Sequence, residues 1–186
     1  MGQPKEKYRM PHERALSLEP FQKWGLDFIG PFKTATARIG IKYIIVVTEY
    51  CTEWVKAKPL RDNTTTFMTR FLYEFIWCRP IELVTDQGTH FVNEVIYEFS
   101  HYYVVVHKRS TPYYPQQNGL TESTNKILQH ILKKIGNENQ TNWVQKLHSA
   151  LWVYRTTYKM VIRLTPFRMT FGLDAVMPIE FLIPSL

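Results

Sequence analysis

Trp24-Gly25-Leu26-Asp27-Phe28-Ile29-Gly30-Pro31-Phe32, then Ile41-Lys42-Tyr43-Ile44-Ile45-Val46-Val47-Thr48, then Trp54-Val55-Lys56-Ala57-Lys58-Pro59 are three apolar runs in close succession. They are rich in β-branched and aromatic residues, which fit a pleated, half-buried surface, and short polar or glycine-bearing turns part them. The stretch predicts a three-stranded antiparallel meander.

The pattern then changes period. Asp62 or Thr64 can cap a helix in which Phe67, Phe71, Leu72, Phe75 and Ile76 recur at helical spacing, a stripe suited to covering the sheet. Ile81 to Thr85 supplies a fourth strand, residues around Phe91 to Ser100 a second helix, and Tyr103 to Lys108 a fifth strand. Ser110 to Gly119, with Pro112, Pro115 and Gly119, reads as a loop. In the helix that follows, Ile127, Leu128, Ile131, Leu132 and Ile135 form one apolar stripe, while Glu122, Lys126, Gln129 and Lys133 fall on another face. A further amphipathic helix carries Trp143, Leu147, Leu151, Tyr154 and Tyr158, whose rings read as core. Thr165 with Pro166 opens a last short helix that Gly172 ends. A meander followed by alternating helices and strands is the order of an α/β fold with a mixed five-stranded sheet and helices on both faces.

Three acids stand out within this frame. Asp27 lies in the first strand. Asp86 ends the fourth in Thr85-Asp86-Gln87-Gly88-Thr89-His90-Phe91, where Gly88 permits a sharp turn. Glu122 opens a helix in Pro115-Gln116-Gln117-Asn118-Gly119-Leu120-Thr121-Glu122-Ser123, 36 positions after Asp86. That interval alone decides nothing, since it also separates Asp62 from Glu98, Glu13 from Glu49 and Glu138 from Asp174. Context separates them: Asp62 reads as a cap and Glu98 as an exposed helix position, whereas a carboxylate at the C-terminal end of a strand faces the crevice where open α/β sheets bind ligands. Three carboxylates in such settings suggest a magnesium site for phosphodiester chemistry.

At 186 residues the chain suits one domain with an ordinary core, and no apolar run is long enough to span a bilayer. The net charge of +7 is uneven. Residues 1 to 61 carry 11 basic against 6 acidic side chains, residues 62 to 107 carry 2 against 6, and residues 108 to 186 carry 10 against 4. Both ends can attract phosphate. Cys51 and Cys78 form no Cys-x-x-Cys pair and the six histidines have no spacing that would join them, which argues against structural zinc or a disulfide framework and for reduced thiols. His90 reads as a polar residue at the start of a helix. Residues 1 to 19, polar and basic with Pro4 and Pro11, read as an extended arm without signal-peptide or transit character. The core runs over 20 to 172 and a tail over 173 to 186.

The sequence resembles the catalytic core of a retrotransposon integrase of the gypsy type found in plant genomes, within the larger retroviral integrase family. Pro20-Phe21-Gln22-Lys23-Trp24-Gly25-Leu26-Asp27, Lys42-Tyr43-Ile44-Ile45-Val46-Val47-Thr48, the two later acid motifs, Tyr154-Arg155-Thr156-Thr157 and Thr165-Pro166-Phe167-Arg168-Met169-Thr170-Phe171-Gly172 carry the likeness over nearly the whole chain. It departs from the usual pattern at Glu49, where similar chains have Asp, at Cys78-Arg79-Pro80, at Leu120 and Thr121, and at Met160-Val161-Ile162-Arg163. The resemblance implies a ribonuclease H-like fold and places Asp27, Asp86 and Glu122 as the catalytic, metal-holding triad, with Asp27 bridging two Mg2+ (or Mn2+) ions. It further implies DNA end processing and strand transfer, element DNA ends and chromosomal target DNA as partners, assembly as a homo-oligomer, and action in the nucleus. Relatives carry a zinc-binding domain before this core and often a DNA-binding domain after it.

The residue types suit that chemistry. Two magnesium ions set about 3.5 to 4 Å apart can lower the pKa of an attacking water or hydroxyl and stabilise the leaving oxygen in line with it. Magnesium prefers hard oxygen ligands and keeps several waters, so two Asp and one Glu are enough protein donors. Lys108, Arg109, Lys126 and Lys133 are candidate phosphate contacts. In the proline-rich loop, Tyr113 and Tyr114 can stack on a frayed base, and Gln116, Gln117 and Asn118 can bond phosphate or base edges. The rival expectation is a catalytically inactive integrase relic that binds nucleic acid or protein through the same fold.

Overall fold

The computed structural model describes residues 19–32, 40–75, 80–88, 91, 94–110, 119–137 and 141–176. Three strands follow one another as β1 (Lys23–Ile29), β2 (Tyr43–Glu49) and β3 (Val55–Leu60). β1 pairs antiparallel with β2, Asp27 opposite Val46, and β2 pairs antiparallel with β3, Val46 opposite Ala57. This is the expected meander. Helix α1 (Thr65–Phe75) leads to β4 (Glu82–Thr85), helix α2 (Glu94–Tyr103) to β5 (Val106–Arg109), and then α3 (Gly119–Ile135), α4 (Trp143–Thr156) and α5 (Pro166–Phe171) complete the chain. β4 adds parallel to β1 and β5 parallel to β4, so the mixed five-stranded sheet has the order β3-β2-β1-β4-β5 with β1 at its centre.

Alternation along β1 and β2 divides the core between the two faces. Trp24, Leu26, Ile45 and Val47 bury with Met68, Phe71 and Leu72 of α1 and Ile96 and Phe99 of α2. Ile29, Ile44 and Val46 bury on the other face with Leu128 and Leu132 of α3 and Trp143, Leu147, Leu151 and Tyr154 of α4. Each strand therefore offers successive side chains to opposite helix layers, as a period of two requires.

Helix phases differ from expectation in detail. In α1 Met68 is buried and Phe67 is exposed, and in α4 Tyr158, placed with the core by its spacing, lies exposed beyond the helix end. The buried positions of α3 are Thr121, Thr124, Asn125, Leu128 and Leu132, so the inward stripe is rotated toward polar residues and Ile127 is exposed. Tyr103 belongs to α2 rather than to the fifth strand, because its ring packs 4.8 Å from Phe99 and 5.7 Å from Tyr73. Val104, at a φ of 56°, then makes the turn into β5. α5 has the predicted ends: Thr165 Oγ1 accepts from Arg168 N at 3.0 Å, Pro166 stands in the first turn, and Gly172 closes the helix at a φ of 75°. Asp62 supplies an Asx turn, its Oδ1 accepting from Thr64 N just ahead of α1. The arm up to residue 18, Ile76, Cys78, His90 and the tail from residue 177 lie outside the described residues.

Glu49 has a structural task. It is fully buried, and its carboxylate accepts from Cys51 N at 3.1 Å, Thr52 N at 2.6 Å and Thr52 Oγ1 at 2.6 Å. The departure at this position thus fastens the β2–β3 turn. No helix among the described residues is long and apolar enough to cross a membrane.

Candidate active site

Asp27 stands on the central strand, on the face that carries α3. Gly25, two residues earlier on the same face, makes the approach possible: a Cβ there would lie 2.0 Å from Thr121 Oγ1 and 3.0 Å from the Tyr50 ring. α3 therefore rests its first turn directly on β1. One turn further along, Asn125 Nδ2 donates to Asp27 Oδ2 at 2.8 Å, and Phe28 N donates to Asp27 Oδ1 at 2.7 Å.

Asp86 reaches the same place by strand register. Gly25 pairs with Val84 in the parallel β1–β4 ladder, so two steps further along both strands bring Asp86, just past the end of β4, level with Asp27. Gly88 N holds Asp86 Oδ1 at 2.8 Å. Thr85 beneath it is fully buried, its hydroxyl donating to Asp86 O at 2.9 Å and contacting His107 Nε2 at 2.9 Å. Since the Thr85 proton is used on Asp86 O, Nε2 of His107 acts as the donor. Burial, with Arg109 nearby, lowers the His107 pKa. Glu122 lies exposed in the first turn of α3.

Electrostatics tie these acids together. The Asp27 carboxyl is pushed up to about 6, first by burial, with the charges of Asp86 and Glu122 also raising it and the bonds from Phe28 and Asn125 opposing the rise. Asp27 thus feels the charge of both other predicted carboxylates. The three are not drawn into a closed cage: among the described residues no three His, Cys, Asp or Glu side chains stand close enough together to hold an ion. Carboxylate oxygens are the hard ligands that magnesium prefers.

The predicted DNA contacts divide. Lys108 and Arg109 lie on β5, with the exposed Lys108 Nζ ion-paired to Glu82 Oε2 at 2.7 Å. Lys126, one helical turn after Glu122, and Lys133 are exposed on α3. Tyr113, Tyr114, Gln116, Gln117 and Asn118 lie outside the described residues. Asn125, Thr85, His107 and the Gly25–Thr121 contact escaped the sequence reading. Asn125 alone left a usable trace, as a polar residue three positions after Glu122 on a helix whose phase was set by its isoleucines.

No family model matches the sequence. Over 165 residues the chain is 29% identical to the Gag-Pol polyprotein of avian reticuloendotheliosis virus, an alignment covering 87% of this chain and 14% of the polyprotein. It is 30% identical over 163 residues to the Pol polyprotein of Radiation murine leukemia virus (86% and 27%), and 24% identical over 174 residues to the Transposon Tf2-3 polyprotein of Schizosaccharomyces pombe (91% and 13%). The chain spans less than a third of these curated relatives. Among solved structures it superposes on a chain of the simian T-cell lymphotropic virus intasome with a TM-score of 0.70 at 21% identity, covering 94% of this chain and 65% of that one. It also superposes on the HTLV-2 integrase catalytic core domain, solved in complex with magnesium in a trimeric form, with a TM-score of 0.62 at 20% identity, covering 82% and 98%. The chain is thus similar to viral and transposon Pol polyproteins along most of its length, and it shares the ribonuclease H-like fold of retroviral integrase catalytic cores.

Proposed function

We propose that the chain is a polynucleotidyl transferase core that trims the ends of element DNA with water and joins the resulting 3′-hydroxyls to chromosomal DNA. The observation that carries this reading is the raised carboxyl of Asp27, half-buried on the central strand and pushed further up by the charges of Asp86 and Glu122. Asp27, Asp86 and Glu122 would hold two divalent cations, magnesium or manganese, with Asp27, which feels the charge of both other acids, contributing the central carboxylate. When bound, such cations supply a nucleophile deprotonated at neutral pH and charge stabilisation for the leaving oxygen.

The chain's own groups do the rest. Asn125 and Phe28 N orient the two oxygens of Asp27, and Gly88 N orients Asp86. Lys126, on the same helix as Glu122, would meet the DNA backbone, and the Tyr113–Asn118 segment would meet an unstacked base. Contacts that are mostly to phosphate carry little sequence information, so target sequence should matter little. The magnesium complex and trimeric form described for the HTLV-2 core, and the intasome of the simian virus, support metal use, DNA binding and assembly with further copies. Chromosomal DNA as the target implies action in the nucleus.

The test is metal-dependent cleavage or joining of labelled branched DNA, with Asp86→Asn as control. Wild type should act with magnesium or manganese and the variant should lose at least about a hundredfold, as loss of a stabilising group in the transition state predicts. Equal rates in the two would refute the assignment.

A further inference from the structure

Outside the carboxylates, a buried polar cluster joins α3 to α4. Thr124, fully buried, sits two residues after Glu122 and one before Asn125, and its Oγ1 lies 3.1 Å from Tyr154 Oη. Tyr154 is itself buried, with Lys159 Nζ held 3.5 Å from its ring centroid. The cluster ends at Glu53, a buried acid in the β2–β3 turn that interacts with both the Tyr154 hydroxyl and Lys159. Neighbouring Arg155 donates twice to Val55 O, at 2.9 and 2.6 Å, and so pins α4 to β3 at the same level.

A cluster of this kind costs desolvation that an apolar pair would avoid, so its placement calls for another reason. Its place is beneath the first turns of the helix that carries Glu122. Leu128 and Leu132 hold α3 against the sheet but permit a roll about the helix axis. With side-chain ends about 5 to 6 Å from that axis, a roll of about 20° would move a carboxylate by about 2 Å. A directional bond at Thr124 resists that roll from the α4 side, as the Asn125–Asp27 bond does from the strand side.

We propose that Tyr154 is a positioning residue for the reaction: through Thr124 it fixes the roll of α3, and with it the places of Glu122 and Asn125 beside Asp27. This rests on the carboxylates being the reactive site. The phenol is a fixed partner at working pH, because burial pushes its pKa up to about 12.

The experiment compares Tyr154→Phe, Thr124→Val, the double variant and Thr124→Ser in the whole chain. Single-turnover joining of branched DNA should fall about tenfold in each of the first two, with KM for DNA within about twofold of wild type, since misplacement by an ångström has effects of this order or larger. The double variant should be no slower than the slower single variant, because the two hydroxyls act as one unit, and Thr124→Ser should retain the wild-type rate. In metal-free protein the Asn125 side-chain amide resonances, which report its bond to Asp27, should shift in Tyr154→Phe and Thr124→Val alike. A folded Tyr154→Phe with an unshifted amide overturns the proposal, as does one with wild-type kcat or losses that multiply in the double variant. If wild type shows no metal-dependent joining, the functional reading fails separately, and the amide shift alone decides the positioning. Should Tyr154→Phe not fold, Thr124→Ala carries the same comparison.

Discussion

Asn125 Nδ2 and Asp27 Oδ2, 98 residues apart in sequence, meet at 2.8 Å and join the central strand to the helix that bears Glu122. The bond does two things at once: it turns the Asp27 carboxylate, and it opposes the burial that would otherwise drive that group further toward its neutral form. Asn125→Leu keeps the volume and removes the donor. A hydrogen bond to a charged group contributes about 1.5 to 3 kcal/mol, so joining activity and divalent-cation affinity should each fall by roughly tenfold to a hundredfold. Titration of magnesium followed by a thermal shift, alongside the joining assay, measures both. Unchanged metal affinity in a folded variant would remove Asn125 from the site.

The raised Asp27 carboxyl predicts an unusual pH dependence of stability. A group with a native pKa of about 6 and an unfolded value near 3.9 binds its proton more tightly when folded. Between those values the native state carries more protons than the unfolded state, so stability falls as pH rises from about 4 to about 6. The loss from this group amounts to at most roughly 3 kcal/mol and persists above pH 6. Bound divalent cation should reverse it, raising the melting temperature more at pH 7 than at pH 5. Asp27→Asn should flatten the metal-free profile in that window and abolish the metal response; the same slope in the variant would exclude Asp27 as its source.

Gly25 sets how near α3 can come. A Cβ 2.0 Å from Thr121 Oγ1 cannot be accommodated without moving the helix. Gly25→Ala should therefore destabilise the fold by about 1 to 3 kcal/mol through overpacking. It should also lower joining activity beyond what stability explains, because Glu122 and Asn125 move with the helix. Thr121→Ala removes the clashing hydroxyl, so the double variant should regain part of both losses. Chemical denaturation and the joining assay on the four proteins test this. Additive losses would show that the two positions do not press on each other.

Much of this was legible along the chain. The three apolar runs of the meander, the strand ending at Asp86 and the caps of α5 are local patterns, and local patterns survive folding because turns and strand alternation are set by near neighbours. The three acids stand out by their local settings, Asp86 at the end of a strand, Glu122 at the start of a helix and Asp27 within the first strand. Helix phase was harder to read. α3 buries Thr121, Thr124 and Asn125 because Gly25 admits its first turn and Asp27 and Tyr154 supply polar partners, and none of these lies nearby in sequence. Isoleucine spacing therefore pointed to the wrong edge of the stripe at Ile127. Glu49 was visible as a departure, but its purpose appears only when the turn after β2 closes over its carboxylate. Charge suggests Lys108 as a phosphate contact, but the parallel pairing that also sets it beside Glu82 cannot be read from a run of basic residues.

The two lysines give a measurable contrast. Releasing counterions from DNA makes log K fall with log salt concentration by about 0.9 per phosphate neutralised on duplex DNA. Lys126 is exposed one turn from Glu122, so Lys126→Ala should weaken binding of a generic duplex and make the salt slope shallower by about 0.9. Lys108 already neutralises Glu82, which Lys23 also contacts at 2.9 Å, and the two cations hold the Glu82 carboxyl below its usual range despite burial that raises it. Lys108 must leave that partner to meet a phosphate, and the counterion it would release is replaced by an uncovered carboxylate. Lys108→Ala should thus change the slope by less than half as much as Lys126→Ala, while Glu82→Gln should strengthen binding by freeing both Lys108 and Lys23. Fluorescence anisotropy over a salt series measures all three variants. Equal slopes for the two lysine variants would mean that the ion pair opens freely on DNA and that β5 belongs to the binding face as much as α3 does.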